Sequence, residues 1–399
     1  MKMMTMSIRG LVLLSCISTV QADEASFTGD WWGTRTQLET RGISVESTLT
    51  ADYSINFQGG KSTRGHALRS LFDLNLTFEL EPLVGLNGAT VFVDAYSING
   101  DDGSDTLIGD VQGFSNIDLD ENRTQIAELW YQQMLGDRFS FKVGKMDVNG
   151  DFAFVDHGGD FIHSSPGFSP TIFGLPTYPE SAFGGAIFMH ATDDNPFYAS
   201  IGIFDGSNAI GIRTGLRGPS RLINHTSDLF LIAESGVNWV VGRNDLPGRL
   251  GVGAWRFTGE LEKVNGSGKI QGTDGMYLVF DQTLYLEDPA NDEGLSMFAQ
   301  YGYADRVVSE VDHHLGMGLV YKGLLAGRPD DRCGIMYSWA HLSSEGTFIR
   351  DREIATEVFY AYQALASVNI KPDLQWIVNP GGEAGRSALV GTLRVEVSF

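Results

Sequence analysis

From residue 44 onward the chain repeats one pattern: apolar and polar residues alternate over about ten positions, then a turn or loop follows. The clearest run sets Phe72, Leu74, Leu76, Phe78 and Leu80 against Asp73, Asn75, Thr77 and Glu79. Ala127, Leu129 and Tyr131 alternate with Glu128, Trp130 and Gln132, and Phe139, Phe141 and Val143 with Ser140, Lys142 and Gly144. The last run, Leu389 to Phe399, is apolar at its odd positions; its even positions include Thr392, Arg394, Glu396 and Ser398. A period of two predicts a strand with one face against hydrocarbon or core and the other against water. Taken alone, the final strand suits a soluble antiparallel sheet as well as a membrane barrel closed by a terminal aromatic.

The whole pattern separates these. About sixteen strands are predicted, near residues 44–57, 69–80, 88–97, 123–135, 138–146, 182–190, 196–205, 229–242, 248–260, 274–286, 295–304, 312–322, 333–342, 354–367, 372–379 and 387–399. An even number of such antiparallel strands fits a closed all-β transmembrane barrel, which leaves no backbone group unpaired in lipid. The links alternate in length. Residues 135–137, 193–195 and 245–247 are short turns, whereas 98–122 and 147–181 are long, as expected of two unlike barrel rims.

Composition agrees. Of 399 residues 42% are hydrophobic, and no run of eighteen apolar residues follows residue 22, so no transmembrane helix is available. Barrel strands are apolar only at alternate positions, so near-neutral hydropathy does not exclude them. The 49 Gly and 24 Phe suit twisted strands, turns and aromatic girdles. Residues 1–22 read as a secretory signal: Lys2 and Arg9, an apolar centre from Leu11 to Val20, and a cleavage site at Val20-Gln21-Ala22. Processing at Cys16 is a less suitable variant, because a Leu stands two residues before it. Loss of residues 1–22 removes two bases and no acid, taking the net charge from −22 to −24. Such acidity argues against a nucleic-acid partner. Only Cys333 would remain, which forms no intramolecular disulfide, and no Cys/His spacing suits zinc; no metal or cofactor is implied.

The loop 98–122 carries Asp101-Asp102-Gly103-Ser104-Asp105 but lacks the closing Glu of a calcium loop, so a solvated acidic loop is the better reading. The segment 147–181 holds Phe161, Phe168, Phe173 and four prolines, Pro166, Pro170, Pro176 and Pro179. Its length and aromatic content predict a segment folded into or across the barrel mouth.

Several short motifs, in order, resemble the carbohydrate-selective porins of the OprB family. They are Thr28-Gly29-Asp30-Trp31-Trp32-Gly33-Thr34-Arg35; Val143-Gly144-Lys145; Phe204-Asp205-Gly206; Gly253-Ala254-Trp255; Gly327-Arg328; Gln375 to Gly382; and the terminal Leu393-Arg394-Val395 with Phe399. Trp32 departs from the pattern, where a Gly is expected. The resemblance spans nearly the whole mature chain. It implies a sixteen-stranded outer-membrane barrel over residues 44–399, preceded by a short periplasmic segment or helix at 23–43, passing mono- and small oligosaccharides passively. The partners implied are sugars as permeating solutes, outer-membrane lipid, and the barrel-assembly machinery meeting the Phe399 strand. Self-association stays open.

A sugar pore needs aromatic faces for pyranose C–H patches and charged groups that replace water at the hydroxyls, all binding weakly enough for release. Charges within strands are expected to face the lumen, because an Arg or Lys in lipid costs about 2–4 kcal/mol at the midplane. The candidates are Arg69, Asp94, Glu128, Lys142, Glu234, Arg256, Glu357, Arg394 and Glu396, with Trp130 and Phe359 as stacking rings. Glu128 and Lys142, on adjacent strands, lead the set. Tyr301, Tyr303, Tyr321, Tyr337, Trp339, Tyr360, Tyr362 and Trp376 fall on apolar faces and are expected as girdle residues. Glycines on lumen faces, Gly144, Gly184, Gly202, Gly302, Gly316 and Gly318, argue for an open bore or simply ease strand curvature. A general, cation-tolerant porin is the first alternative and a non-conducting adhesin or anchor the second. The eight scattered His and the absence of a nucleophile elbow give no support to an enzyme.

Overall fold

The computed structural model describes residues 26–119, 121–206, 208–219, 222–223, 227–242, 244–288 and 292–399. The expected signal, residues 1–22 with Cys16, lies outside them. The strands are β1 (Ile43–Gln58), β2 (His66–Glu79), β3 (Ala89–Gly100), β4 (Arg123–Leu135), β5 (Phe139–Met146), β6 (Ala182–Met189), β7 (Phe197–Asp205), β8 (Leu216–Pro219), β9 (Leu229–Val241), β10 (Leu246–Glu262), β11 (Lys269–Asp288), β12 (Glu293–Ala304), β13 (Val311–Lys322), β14 (Arg332–Leu342), β15 (Arg352–Leu365), β16 (Val368–Val378) and β17 (Ala388–Ser398). All except β8 form one closed antiparallel barrel, in which each strand pairs with its neighbours in sequence and β17 closes on β1. The closing register sets Asp52 beside Arg394 and Thr48 beside Ser398. Each of the sixteen predicted strands is present, within a few residues of the expected ends.

Closure removes the sheet edge that lipid would not tolerate. One part of the wall needs extra help. β5 and β6 have only 8 residues each, so the upper half of β4 has no long neighbour on that side. The segment leading into β8 fills the gap: the Ile126 N–H donates to Gly215 O at 3.2 Å. Buried Lys145 closes the seam by donating to Ile126 O at 2.9 Å and Thr214 O at 3.4 Å. Four residues of β8 carry too short a pattern to be recognised in the sequence.

The start of the described chain meets the C-terminal strand at the short-turn rim. Phe27 N–H donates to Ser398 O, and Phe399 N–H to Ser47 O, both at 2.8 Å. Phe399 also packs against Phe27 and outward-facing Phe72, with ring centroids 6.0 and 6.5 Å apart. Among the described residues of the expected segment 23–43 stands one helix, α1 (Thr34–Thr40), at this rim. The predicted girdle residues Tyr301, Tyr303, Tyr337, Tyr362 and Trp376 are exposed on the outer wall.

The inner wall is not an open bore throughout. Phe204, Phe230, Trp255, Phe257, Phe298 and Phe359 are buried inward, around Phe152 and Phe161 of the segment 147–181. The lumen glycines make room for this filling. A Cβ at Gly302 would collide with Thr171 and Ser169, and one at Gly318 with Phe298.

Candidate functional site

The segment between β5 and β6 enters the lumen and is held there by the wall. A buried loop has no ladder partner, so its N–H and C=O groups must find side chains. Carboxylates on four strands accept its N–H groups. Glu128 takes Asp147 N–H at 2.8 Å, Glu234 takes Ala153 at 2.9 Å, and Asp281 takes Asp156 at 2.8 Å. Glu357 takes two, Ile162 at 2.7 Å and His163 at 2.9 Å. Donors serve the loop carbonyls: Arg249 to Phe154 at 2.8 Å, Lys371 to Asp160 at 3.0 Å, and Gln300 to Ser165 at 2.6 Å and Pro166 at 3.1 Å. Phe161 packs edge-on against Phe298 and Phe359, with centroids 5.7 and 5.0 Å apart. Burial alone would raise the Asp160 carboxyl, but hydrogen bonding from His157 and the Arg332 charge bring it down to about 2. Burial pushes the His163 imidazole down to about 3, so it stays neutral.

A second inward loop, 101–122, is held from β1, β2, β15, β16 and β17. Arg394 grips Asp52 with two bonds of 2.7 and 2.8 Å and extends a third, 2.7 Å, to Asn116. Asp52 also receives Ser115 Oγ at 2.9 Å. Arg69 pairs with Asp118 at 3.1 Å and lies 4.7 Å over Phe114, whose carbonyl accepts from Gln375 at 2.8 Å. Glu353 accepts the N–H groups of Val111 at 3.0 Å and Gln112 at 3.1 Å, and that of Gly381 at 2.7 Å.

A different arrangement lines the wall at β3, β4 and β5. Phe92 stacks on Trp130 with centroids 4.9 Å apart and planes 25° apart. Lys142 Nζ lies 4.4 Å over the Trp130 ring and bonds Asp151 at 2.7 Å. Trp130 Nε1 donates to Glu128 at 3.1 Å. Asp94 pairs with Asn75 on β2 and with Glu128 on β4 in the strand register. Lys142 and Asp151 keep 11% and 16% of their side chains exposed, against 4% and 0% for the Arg394–Asp52 clamp. The row offers aromatic carbon, an ammonium and carboxylates side by side. That combination meets both the C–H faces and the hydroxyls of a neutral polyol.

The structure brings Glu128, Trp130 and Lys142 together, with Asp94 beside them. It places Arg69, Glu234, Glu357 and Arg394 inward and spent on holding loops, while Glu128 and Lys142 hold Asp147 and Asp151 as well as meeting Trp130. Phe359 faces inward and is covered by Phe161. Glu396 lies inward, half-buried, near the short-turn rim. Arg256 requires correction: Trp255 and Phe257 on either side are buried inward, so Arg256 points out from the barrel and is exposed. The expectation failed because it assumed charged residues inward and apolar ones outward, and here aromatic residues fill the lumen. Sequence reasoning missed Asp52, Asp281, Glu353 and Arg249. Each sits on the inward parity of its strand, and that parity was the available signal.

The sequence model of the family described as carbohydrate-selective porin, OprB family, matches residues 63–399. Porin B of Pseudomonas aeruginosa is 23% identical over 423 aligned positions, covering 93% of this chain and 90% of the relative. The high-pH structure of Pseudomonas putida OprB superposes with a TM-score of 0.84 at 21% identity, covering 95% of this chain and 99% of that one. The low-pH structure of the same protein gives 0.64 at 19% identity over the same shares.

Proposed function

Since the chain belongs to the carbohydrate-selective porin family, OprB, and is an outer-membrane carbohydrate porin, we propose that mono- and small oligosaccharides diffuse passively past the row Phe92–Trp130–Lys142. The observation that carries this is the contrast in use of charge. Most inward charges are consumed in holding the two loops, which narrow the lumen. Trp130, Lys142 and Asp151 keep some solvent exposure and combine ring surface with ammonium and carboxylate, although Glu128 beside them also holds Asp147 N–H. Weak, multipoint contact of this kind concentrates a solute without trapping it. Export by residues 1–22 and recognition of the Phe399 strand by the assembly machinery belong to the same reading, as does an external position for the long-loop rim.

A second reading has its own support. The carboxylates Asp94, Glu128, Asp147 and Asp151 outnumber Lys142 along this row, and the mature chain is strongly acidic, which favours general cation passage. Conductance of refolded protein in a planar bilayer, titrated with glucose and maltose, separates the two. Saturable block supports the sugar path. Strong cation selectivity with no block at any sugar concentration supports the general porin and overturns the first reading.

A further inference from the structure

Arg256 stands on the outer wall, beside an apolar depression that faces away from the lumen. Two outward rows run across five strands in direct register. The upper row is Val143, Gly185, Ile203, Leu231 and Arg256; below it lie Phe141, Ile187, Ile201, Ala233 and Ala254. The small residues Gly185, Ala233 and Ala254 leave a depression of about 780 Å³ between larger neighbours, and Arg256 lies on its border. The upper row climbs toward the long-loop rim. Val143 is four residues past the strand start at Phe139, and Arg256 is ten past the start at Leu246. Arg256 thus marks the high end of an otherwise apolar groove.

A guanidinium on the outer wall of a barrel is costly near the bilayer centre and nearly neutral at the interface, about 0–1 kcal/mol. At that height it meets headgroups. Its ion-pair neighbour among the described residues is Asp274 at 3.9 Å, too long for a hydrogen bond, and its side chain is 62% exposed. The planar fork of donors therefore remains available, and it matches a phosphate better than any other membrane group.

We propose that this groove binds a phosphorylated lipid of the outer leaflet, one acyl chain lying along the Ala233–Ala254 floor and a phosphate held by Arg256. The apolar depression selects the chain, and the arginine at its upper end selects the anionic headgroup. Asp274 limits affinity by competing for the same guanidinium.

The test uses refolded protein in detergent, titrated with bisphosphorylated lipid A, with retained lipid counted by native mass spectrometry. Dephosphorylated lipid A is the control, and heat-modifiable gel mobility reports that each barrel is folded. Wild type should retain lipid A, and the dephosphorylated form about tenfold less well, the loss of one strong charge-assisted contact. Arg256→Gln should show the same tenfold loss, and Ala254→Trp, which fills the floor, should abolish retention. Should the Trp variant fail to fold, the Gln variant and the lipid pair still decide. Equal retention by wild type and Arg256→Gln, or of the two lipids by wild type, would overturn the proposal. So would a lipid-independent oligomer that Ala254→Trp dissociates, because the groove would then be a contact between copies.

Discussion

The lumen wall formed by β9–β17 with β1 and β2 differs from the wall at β3–β5, although both carry charge inward. On the larger arc the charged groups are buried and matched to the loops: Glu357 to the Ile162 and His163 N–H groups, Glu353 to those of Val111 and Gln112, and Arg394 to the Asp52 carboxylate and the Asn116 side chain. At β3–β5 Lys142 pairs with Asp151 of the 147–181 segment while lying over the Trp130 ring, and both charges keep a little solvent exposure. Buried charge spent on the inward loops shapes the passage. Charge left partly in solvent can still exchange a partner, which a permeating sugar requires. Electrostatics thus does two jobs in one barrel, and burial decides which.

The largest effect should come from the buried arc. Arg394→Ala leaves Asp52 buried without its bidentate partner, a loss of about 3–5 kcal/mol. Its thermal unfolding should shift strongly downward, and the freed 101–122 loop should give larger, noisier channel conductance. If stability and conductance stay at wild-type values, the clamp assignment fails.

Glu357→Ala comes next. It strands two buried loop N–H groups, at roughly 1–3 kcal/mol each. The expected result is a barrel that still folds, with raised single-channel conductance and faster proteolysis within 147–181. Unchanged protease sensitivity would count against the loop being held from β15.

Much of this contrast was legible in the sequence, and its limits have a physical cause. Alternation through Phe72–Leu80 and Leu389–Phe399 gives the strands and their two faces because a strand's side-chain period is fixed at two. The same parity puts Glu128, Lys142, Glu357 and Arg394 in the lumen. It could not say which of them meet solute, because that depends on where two long loops settle. Trp255, Arg256 and Phe257 reverse the usual rule, since the aromatic filling of the lumen rewards apolar residues inward. The β8 patch was invisible because four residues carry almost no periodic signal.

Trp130→Ala sharpens the other side of the comparison. An aromatic contact contributes roughly 1 kcal/mol, so half-block by maltose should require about fivefold more sugar. Stability should change far less than in Arg394→Ala. A large loss of stability with unaltered block would make Trp130 a packing residue like Phe359.

The smallest effect at neutral pH concerns His163. Its imidazole titrates at about 3 when folded, against an ordinary 6.5. Between these values the unfolded chain binds a proton that the folded one refuses, so stability rises with pH across the window and falls on acidification. His163→Gln should leave neutral-pH stability close to wild type and flatten the fall below pH 6.5 in thermal melts. An equally steep fall in the variant would assign the acid sensitivity to other groups.

The most direct measurement is the sugar-titrated single-channel conductance of wild type beside Trp130→Ala and Lys142→Ala. The division between clamping and contacting charge predicts saturable block in wild type, weakened in both variants while open-channel conductance changes little. Block that is absent in wild type, or equally strong in both variants, would contradict it.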